Sequence, residues 1–338
     1  MIATASIEAL NENKIMTFTV YTNDELSNEA YHEEQEHISG SSLAEILATS
    51  PAKWKFKQRN NSSAALKFGT LSHTMMLERE LFDSTYMRAT DFDEIEGLIT
   101  SQTALSAALK KVGVSGTSGK AYNELVEMMY KSGEDWHVKW LIEQRESAQA
   151  LISGKEMVTA KDYDKVISMR EVLTNIPAYD AVINSPTAQK ELSIFGEILG
   201  CGVKVRLDHV DVVDGVVYIT DFKTTSSASP NEFGRLACNH MYLLKMSLQR
   251  DLFVRAFNEK RKVKVRLLAQ EKEEPYLPMM YTLSDEHLRI GRLQYCEALS
   301  VYKNCKESDQ WPGYSGGIPE QELVIPDWVS KQYQELVK

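Results

Sequence analysis

Residues that could carry out hydrolytic chemistry are concentrated between positions 191 and 223. Glu191 opens this segment, Asp208 follows an alternating apolar run, and Asp221 and Lys223 close the next apolar run. Asp221 and Lys223 are two residues apart on a predicted strand, so their side chains point to the same face. Carboxylates hold a divalent cation through hard oxygen ligands, and a lysine can orient water or stabilise charge at phosphorus. The pattern therefore indicates a metal-dependent hydrolytic site.

The D-x-K pattern alone is weak, because such a pair on a strand is usually a surface ion pair worth ~0–1 kcal/mol. Here the acids occur on two predicted strands. Residues 203–208 alternate as in a half-buried strand, and residues 216–222 form a run typical of a central strand. Asp214-Gly215 predicts a hairpin turn between them. The strand ends need not coincide, but both acids reach one site if the sheet bends.

The remaining pattern predicts a mixed α/β core with a helical N-terminal elaboration. Two further strands are predicted over residues 192–195 and 262–268. Helices are predicted over residues 43–48, 67–78, 161–185, 231–257 and 284–304, with a last one near Trp328. We expect residues 1–37 to form a flexible polar lead-in and residues 38–338 a single domain, with a helical insertion at about 91–160 that a loop at 113–119 interrupts.

Composition excludes several classes of protein. Lys plus Arg is 38 and Asp plus Glu is 48, so the net charge of −10 argues against a surface coated with basic charge, although not against a local basic groove. No apolar run approaches the roughly 18 residues of a membrane span, and no secretory signal is visible. The four cysteines form no CxxC pair, which disfavours a zinc ribbon or an iron–sulfur cluster and suits reduced thiols in a cytosolic protein.

Several separated blocks, in the same order, resemble the RecE-type exonuclease VIII family of phage recombination enzymes in the PD-(D/E)xK nuclease superfamily. The resemblance covers about residues 38–330. Its blocks are ISGSSLAEILATSPAKW, ALKFGTLSHTMMLERELFD, VTAKDYDKVISMREVL, ELSIFGE, the run from Asp208 to Pro230, and QWPGYSGGI. The resemblance implies a restriction-endonuclease-like core, which is a central mixed sheet flanked by helices.

The resemblance also implies a role for each residue that matches the family's motifs. Asp208 and Asp221 would bind Mg²⁺ or Mn²⁺ together with His73, and the backbone carbonyl of Phe222 would lie beside the same ion. Glu191 would reach a second metal, a water or the His73 site. Lys223 would be the catalytic lysine, and the three acids would share in catalysis.

One helix departs from the family pattern. After the D-x-K strand the family usually has Gln and, four residues later, Tyr, whereas this chain has Lys245 and Gln249. Both lie on one helical face, and together with Arg235 and Thr224 we assign them to DNA binding. A one-residue shift of register would also explain the difference.

Two further segments are candidates for contact with DNA. From Lys245 to Arg266 there are eight Lys or Arg residues against two acids, which predicts either a phosphate-binding surface beside the site or an ordinary solvated face. Residues 103–126 are loosely similar to a SAP-like helix–turn–helix. Gly119-Lys120 fails the spacing of a P-loop, so ATP use is not indicated.

The sequence therefore predicts a metal-dependent exonuclease that acts on double-stranded DNA ends. The resemblance implies 5′-to-3′ degradation that leaves 3′ single strands, a single-strand annealing protein as partner, and a homo-oligomer, tetrameric in the family, with no membrane association. Two alternatives stay open. One is a non-catalytic DNA-binding or regulatory relative, which the departures at Lys245 and Gln249 suggest. The other is an endonuclease or a helicase-associated nuclease module, although helicase motifs are missing.

Overall fold

The computed structural model describes residues 17–58, 63–316, 318, 320–334 and 336. Its strands are β1 (Thr19–Tyr21), β2 (Ile38–Ser39), β3 (Tyr86–Arg88), β4 (Glu156–Val158), β5 (Gln189–Ile198), β6 (Cys201–Val213), β7 (Val216–Thr225), β8 (Val263–Glu271) and β9 (Pro278–Thr282). Its α-helices are α1 (Asn28–Glu33), α2 (Gly40–Ala48), α3 (Pro51–Phe56), α4 (Ala64–Leu77), α5 (Arg79–Thr85), α6 (Gln102–Lys111), α7 (Tyr122–Lys131), α8 (Lys139–Ser153), α9 (Ala160–Thr174), α10 (Pro177–Ile183), α11 (Pro230–Asn239), α12 (Tyr242–Ala256), α13 (Asp285–Ser308) and α14 (Asp327–Tyr333).

A seven-stranded mixed sheet forms the centre of the fold, as the sequence predicts. Its strand order is β1-β5-β6-β7-β8-β9, and β2 pairs with β6. Strands β5, β6 and β7 are joined by two-residue turns at Leu199-Gly200 and Asp214-Gly215, where all four residues have positive φ. Such turns match the twist of antiparallel strands, and the predicted hairpin at Asp214-Gly215 is confirmed. Strand β8 runs parallel to β7 after the crossover through α11 and α12.

Helices cover both faces of the sheet, because alternate residues of each strand are apolar on each side. Helices α2, α12 and α13 pack on one face in a core that includes Ile194, Val205, Ile219, Leu248 and Leu299. Helices α4 and α9 pack on the other face in a core that includes Leu71, Met75, Val166, Met169 and Phe222. The site described below lies between these two layers.

Helices α6 and α7 form a third apolar cluster of their own. Its buried members are Leu105, Leu109, Leu125, Val126, Met129 and Val138. The predicted glycine-rich break lies in the connection between α6 and α7. This cluster lies within the region, about 91–160, where the sequence predicts a helical insertion, and the short parallel pair of β3, just before that region, with β4, near its end, joins the two ends of it.

The N-terminal segment is ordered where the sequence predicts a flexible lead-in. Strand β1 pairs with β5 through Val20 and Ile194, and the Nζ of the buried Lys204 donates to the Tyr31 carbonyl at 2.7 Å. The prediction is therefore wrong for residues 17–37, while residues 1–16 lie outside the described residues. The polar composition of the segment does not reveal these contacts, because the residues it pairs with, on β5 and β6, lie more than 150 residues further along the chain.

Two long predicted helices are each divided in two. Residues 231–257 form α11 and α12, which are separated at Met241, a residue with φ of 54°. Residues 161–185 form α9 and α10, and Pro177 begins the second of these helices. Apolar periodicity continues across both breaks, so it cannot reveal them.

A buried acid joins α12 to α13. Both oxygens of Asp251 accept hydrogen bonds from Arg292 at 2.7 Å, and the Tyr295 hydroxyl donates to Asp251 at 2.7 Å. The two helices also approach closely at Gly291, where a Cβ atom would lie 2.0 Å from the Leu243 carbonyl oxygen. Asp251 therefore links two helices that cover one face of the sheet.

We expect Asp251→Asn to lower the free energy of unfolding by about 2 kcal/mol at pH 7, since it removes a buried, charge-assisted network. Burial alone would raise the pKa of Asp251, but Arg292 and Tyr295 hold it below its usual value. Because the folded pKa is depressed, this stabilisation is complete above the unfolded pKa of about 3.9 and is lost as the pH falls through the folded pKa. Urea unfolding at pH 7 and pH 3 measures both effects, with the exposed Glu297→Gln on the same helix as control. A difference from wild type that stays equal at both pH values would contradict the assignment.

Candidate active site

Strands β6 and β7 separate at the two aspartates. Their ladder ends at the pair His209–Thr220, so Asp208 and Asp221 occupy the next position, where the strands diverge. The Asp208 carboxylate accepts a hydrogen bond from the Phe222 amide at 2.9 Å. The sequence predicted that Asp208 would lie at the end of its strand, and this is wrong, because Asp208 lies inside β6. We call the point where β6 and β7 diverge the fork. The two acids come together because they lie at the fork, and not because the two strands end at the same level.

Glu191 adds a third carboxylate from the neighbouring strand. The pairs Lys190–His209 and Leu192–Leu207 place Glu191 opposite Asp208. Its φ of 54° lies in the left-handed region, which is costly for a residue with a side chain and is concentrated at functional sites. Arg206 Nε lies 3.7 Å from Glu191 Oε2. Three adjacent strands therefore each supply one acid.

Helix α4 brings an imidazole to these carboxylates. His73 Nε2 lies 3.0 Å from Asp208 Oδ2, and His73 Nδ1 lies 3.5 Å from Glu191 Oε1. The ligand atoms of His73, Glu191 and Asp208 all lie within 4.8 Å of one another. The helix carries Leu71 and Met75 into the core below β7, and this packing sets the position of His73.

Lys223 completes the site from β7. Its ammonium contacts Asp221 Oδ2 and donates to the Phe222 carbonyl at 3.2 Å. The Lys223 ammonium also lies 5.6 Å from the centre of the Tyr242 ring. The lysine thus stays beside the acid that precedes it by two residues, as expected for a pair on one face of a strand.

The ionisation of the site reflects excess negative charge in a buried volume. Burial raises the pKa of Glu191 to about 7 despite the nearby His73. Burial alone would raise the pKa of Asp208, but His73 and Lys223 hold it at about 2. Burial alone would lower the pKa of His73, yet Asp208 and Glu191 raise it to about 9. Burial and the Asp208 charge raise the pKa of Asp221, and the two aspartates raise that of Lys223 against its own burial.

These donors fit a hard divalent cation. Glu191 Oε1 is buried and makes no hydrogen bond with any described residue. Carboxylate oxygens with one imidazole nitrogen suit Mg²⁺ or Mn²⁺. His73, Glu191 and Asp208 form the compact ligand group, whereas the Asp221 carboxylate and the Phe222 carbonyl both contact Lys223.

A cleft of about 2300 Å³ opens onto the site and contains three of the four predicted DNA-binding residues. Lys245, Gln249 and Thr224 line it, whereas Arg235 is exposed on α11 and does not. The Lys245 ammonium lies 5.2 Å from the Tyr242 ring centre, and Gln249 Nε2 donates to the Arg206 carbonyl at 3.2 Å. The face that holds Lys245 and Gln249 therefore lines the same cleft as His73, Asp208 and Lys223.

The basic stretch does not form one surface beside the site. Lys245 lines the cleft, but Arg250 pairs with the buried Asp251. Residues 260–262 precede β8, whose first pair is Val217–Val263, whereas the D-x-K end of the strand pairs at Leu267. At ~3.3 Å per residue this is roughly 13 Å along the sheet. The charges separate because α12 and β8 run in opposite directions through the fold.

Sequence reasoning missed Tyr242 and Arg206. Tyr242 lies beside both Lys223 and Lys245, and it precedes Lys245 by less than one turn of helix α12. Arg206 and Lys204 alternate with apolar residues of β6, which suggested a solvated face, but the N-terminal segment covers that face. The signal for Arg206 was its position two residues before Asp208.

Known proteins support this interpretation of the fold. The family model described as a PDDEXK-like domain of unknown function (DUF3799) matches residues 37–321. The crystal structure of a "Putative exonuclease" from Eubacterium rectale superposes with a TM-score of 0.52 at 11% identity and covers 91% of this chain and 97% of that chain. A second solved structure, SSO0001, is 12% identical, covers 72% of this chain and 88% of that chain, and has a TM-score of 0.24.

No curated protein matches the chain.

Among the described residues, no helix is both long and apolar enough to cross a membrane. The matched range contains every residue of the site described above. The chain therefore belongs to the PDDEXK-like family DUF3799.

Proposed function

We propose that this protein is a metal-dependent DNA exonuclease of the RecE type, which degrades duplex ends 5′-to-3′ and leaves 3′ single strands for recombination. The observation that supports hydrolysis most directly is the fork of β6 and β7. It places Asp208 and Asp221 beside Lys223, with His73 and Glu191 completing a cation site. The family and the α/β fold are those of PDDEXK-like nucleases.

Each residue of the site has its own role in the proposed hydrolysis. A bound Mg²⁺ or Mn²⁺ would supply Lewis-acid stabilisation of a phosphoryl oxygen and lower the pKa of an attacking water. His73, Glu191 and Asp208 would hold it. Because Asp208 and Asp221 raise its pKa, Lys223 keeps its proton and acts by stabilising negative charge at phosphorus, not as a base. Asp221 holds the Lys223 ammonium beside the fork.

End-dependent action is favoured by the sequence resemblance, and the fold is like that of a protein described as a "Putative exonuclease". A non-catalytic relative is disfavoured, because the acids and Lys223 converge in one cleft. We further propose a single-strand annealing protein as partner, assembly as a homo-oligomer, and a cytoplasmic location, all from the resemblance.

A comparison of linear and covalently closed duplex tests this function. With Mg²⁺ we expect loss of linear DNA alone, and no loss in EDTA. Blocking either the 5′ or the 3′ strand ends with phosphorothioate linkages then gives the direction. Cleavage of the closed circle would assign an endonuclease, and survival of both substrates with Mg²⁺ and Mn²⁺ would favour the non-catalytic alternative.

Lys245 should contact a DNA phosphate from within the cleft. Lys245→Gln should keep activity and reduce the slope of log K against log salt by roughly 0.9, one phosphate contact on duplex DNA. Lys245→Glu should weaken binding sharply, with no change in sequence preference. Lys260→Gln is the matched control, since residue 260 lies beyond the far end of β8. Binding of linear duplex in EDTA over a salt series measures all three. Equal slopes for wild type and Lys245→Gln, with equal affinity for Lys245→Glu, would place the residue away from DNA.

A further inference from the structure

Lysines alternate with aromatic residues on the short helix α3. It reads Lys53, Trp54, Lys55 and Phe56, and none of its residues is buried. The segment that follows α13 lies against it, because the Ala52 amide donates to the Pro312 carbonyl at 3.1 Å. We define the lysine–aromatic surface as residues 53–56 with Lys306, Trp311 and Tyr314.

Some aromatic rings of this surface pack against one another, and others are exposed to solvent. Trp54 lies 5.6 Å from the buried Tyr302 ring and 5.5 Å from Trp311. By contrast, Phe56 is 73% exposed and Tyr314 is 69% exposed. Exposed rings that adjoin the packed pair Trp54–Trp311 form an apolar patch rimmed by lysines, and such patches mark binding sites.

Positive charge accompanies each part of the surface. The Lys53 ammonium lies 5.0 Å from the Tyr314 ring centre, and the Lys55 ammonium lies 4.8 Å from that of Trp311. Residues 51–57 carry three lysines and no acid, in a chain whose net charge is −10. A ring beside an ammonium is complementary to one nucleotide, because the base can stack on the ring while the phosphate contacts the ammonium.

The surface is continuous with the active site. Trp54, Lys55, Lys306 and Trp311 line the cleft that also holds Lys223 and His73. Lys245 lines the same cleft, and its Cα is 3.7 Å from the Cβ position of Gly40 at the start of α2, the helix that precedes α3. A strand bound at the fork can therefore extend to these rings.

We propose that the lysine–aromatic surface binds an unpaired nucleic-acid strand that enters or leaves the active site. Bases stack on Phe56, Trp311 and Tyr314, and phosphates contact Lys53 and Lys55. An unpaired strand fits better than a duplex, because the bases of a duplex are already stacked on one another. This inference rests on the proposed nuclease function and adds to it a binding site for the single-stranded part of the substrate or product.

The test compares a single-stranded DNA oligonucleotide with an abasic sugar–phosphate chain of equal length, both in EDTA so that nothing is hydrolysed. The double variant Phe56→Ala/Tyr314→Ala should bind the base-containing strand at least about 30-fold more weakly, the size of two lost base stacks, and bind the abasic chain as wild type does. Phe56 and Tyr314 lie next to the cleft-lining residues Lys55 and Trp311 in the same surface. Tyr130→Ala/Lys131→Gln is the matched control, since Tyr130 is an exposed ring beside a lysine on α7, in the separate cluster formed by α6 and α7.

A second variant separates charge from stacking. Lys55→Gln should weaken binding of both oligomers and reduce the salt slope by roughly 0.7, the value for one contact on a single strand. Equal affinity of wild type for the two oligomers, or unchanged binding by the double variant, would overturn the inference. Either result leaves the nuclease proposal standing if wild type still degrades linear duplex. Failure to degrade duplex, with the expected oligonucleotide binding, would overturn the nuclease function alone.

Discussion

Alanine in place of Lys223 should lower turnover on linear duplex by roughly 10²-fold or more, the loss typical of one positioned catalytic group. Affinity for DNA should fall much less, because the lysine acts mainly on charge that develops in the transition state. The ammonium lies at the fork in contact with Asp221 and donates to the Phe222 carbonyl. Single-turnover rates at saturating enzyme, with affinity measured in EDTA, separate the two effects.

Two controls define this result. Lys264→Ala removes a lysine from the adjacent strand β8, where its ammonium lies over the Tyr218 ring. It should therefore retain turnover. Lys223→Gln keeps most of the side-chain volume but loses the charge, so it should be nearly as slow as the alanine variant if charge is what matters. Near wild-type turnover in Lys223→Ala, with an unchanged melting temperature, would show that the lysine is an ordinary ion-pair residue.

The sequence predicts features of the site whose cause is local. Alternation along β6, the Asp-Gly turn, and the apolar run before Asp221 each depend on a few neighbouring residues, and the structure contains all three. The central mixed sheet follows from these hairpins and from the helical crossover to β8. The relation of Asp221 to Lys223 needs only the two-residue period of a strand.

Features with long-range causes could not be predicted in this way. The fork depends on where the β6–β7 ladder ends, and the pairing of β1 with β5 joins residues about 175 positions apart. The lysine–aromatic surface is assembled from α3, α13 and the segment after α13, so no window of sequence contains it. The sequence also could not decide between the two interpretations of the basic stretch, because its residues are neighbours in sequence but lie on two different elements, α12 and β8.

Helix α12 presents side chains to the cleft that differ from those expected from the resemblance. The resemblance to the RecE-type family aligns Lys245 and Gln249 with a Gln and a Tyr, and both residues line the cleft. The register is therefore compatible with contact to substrate, although the side chains differ. Tyr242 places an aromatic ring between Lys223 and Lys245, as judged by its distance from each ammonium. The helix thus presents a positive charge and an amide to the cleft.

Asp208→Ala should abolish hydrolysis, with a loss of about 10³-fold or more, and should weaken Mn²⁺ binding by at least about tenfold. Asp208 is the acid that contacts His73 most closely and accepts the Phe222 amide across the fork. Its removal therefore deletes a ligand and releases the strand that carries Lys223. Mn²⁺ binding, followed by calorimetry or by the electron paramagnetic resonance of the free ion, reports on the ligand role without any hydrolysis.

Asp211→Asn is the matched control for Asp208, because Asp211 is a buried acid three residues further along the same strand. Its carboxylate is satisfied by the hydroxyls of Ser185 and Thr187 and is not part of the ligand group. It should bind Mn²⁺ as wild type does and retain turnover. His73→Ala should lie between the two variants, since it removes the imidazole and leaves the carboxylates. Wild-type Mn²⁺ affinity in a folded Asp208→Ala variant would show that the cation site lies elsewhere, even if hydrolysis were lost.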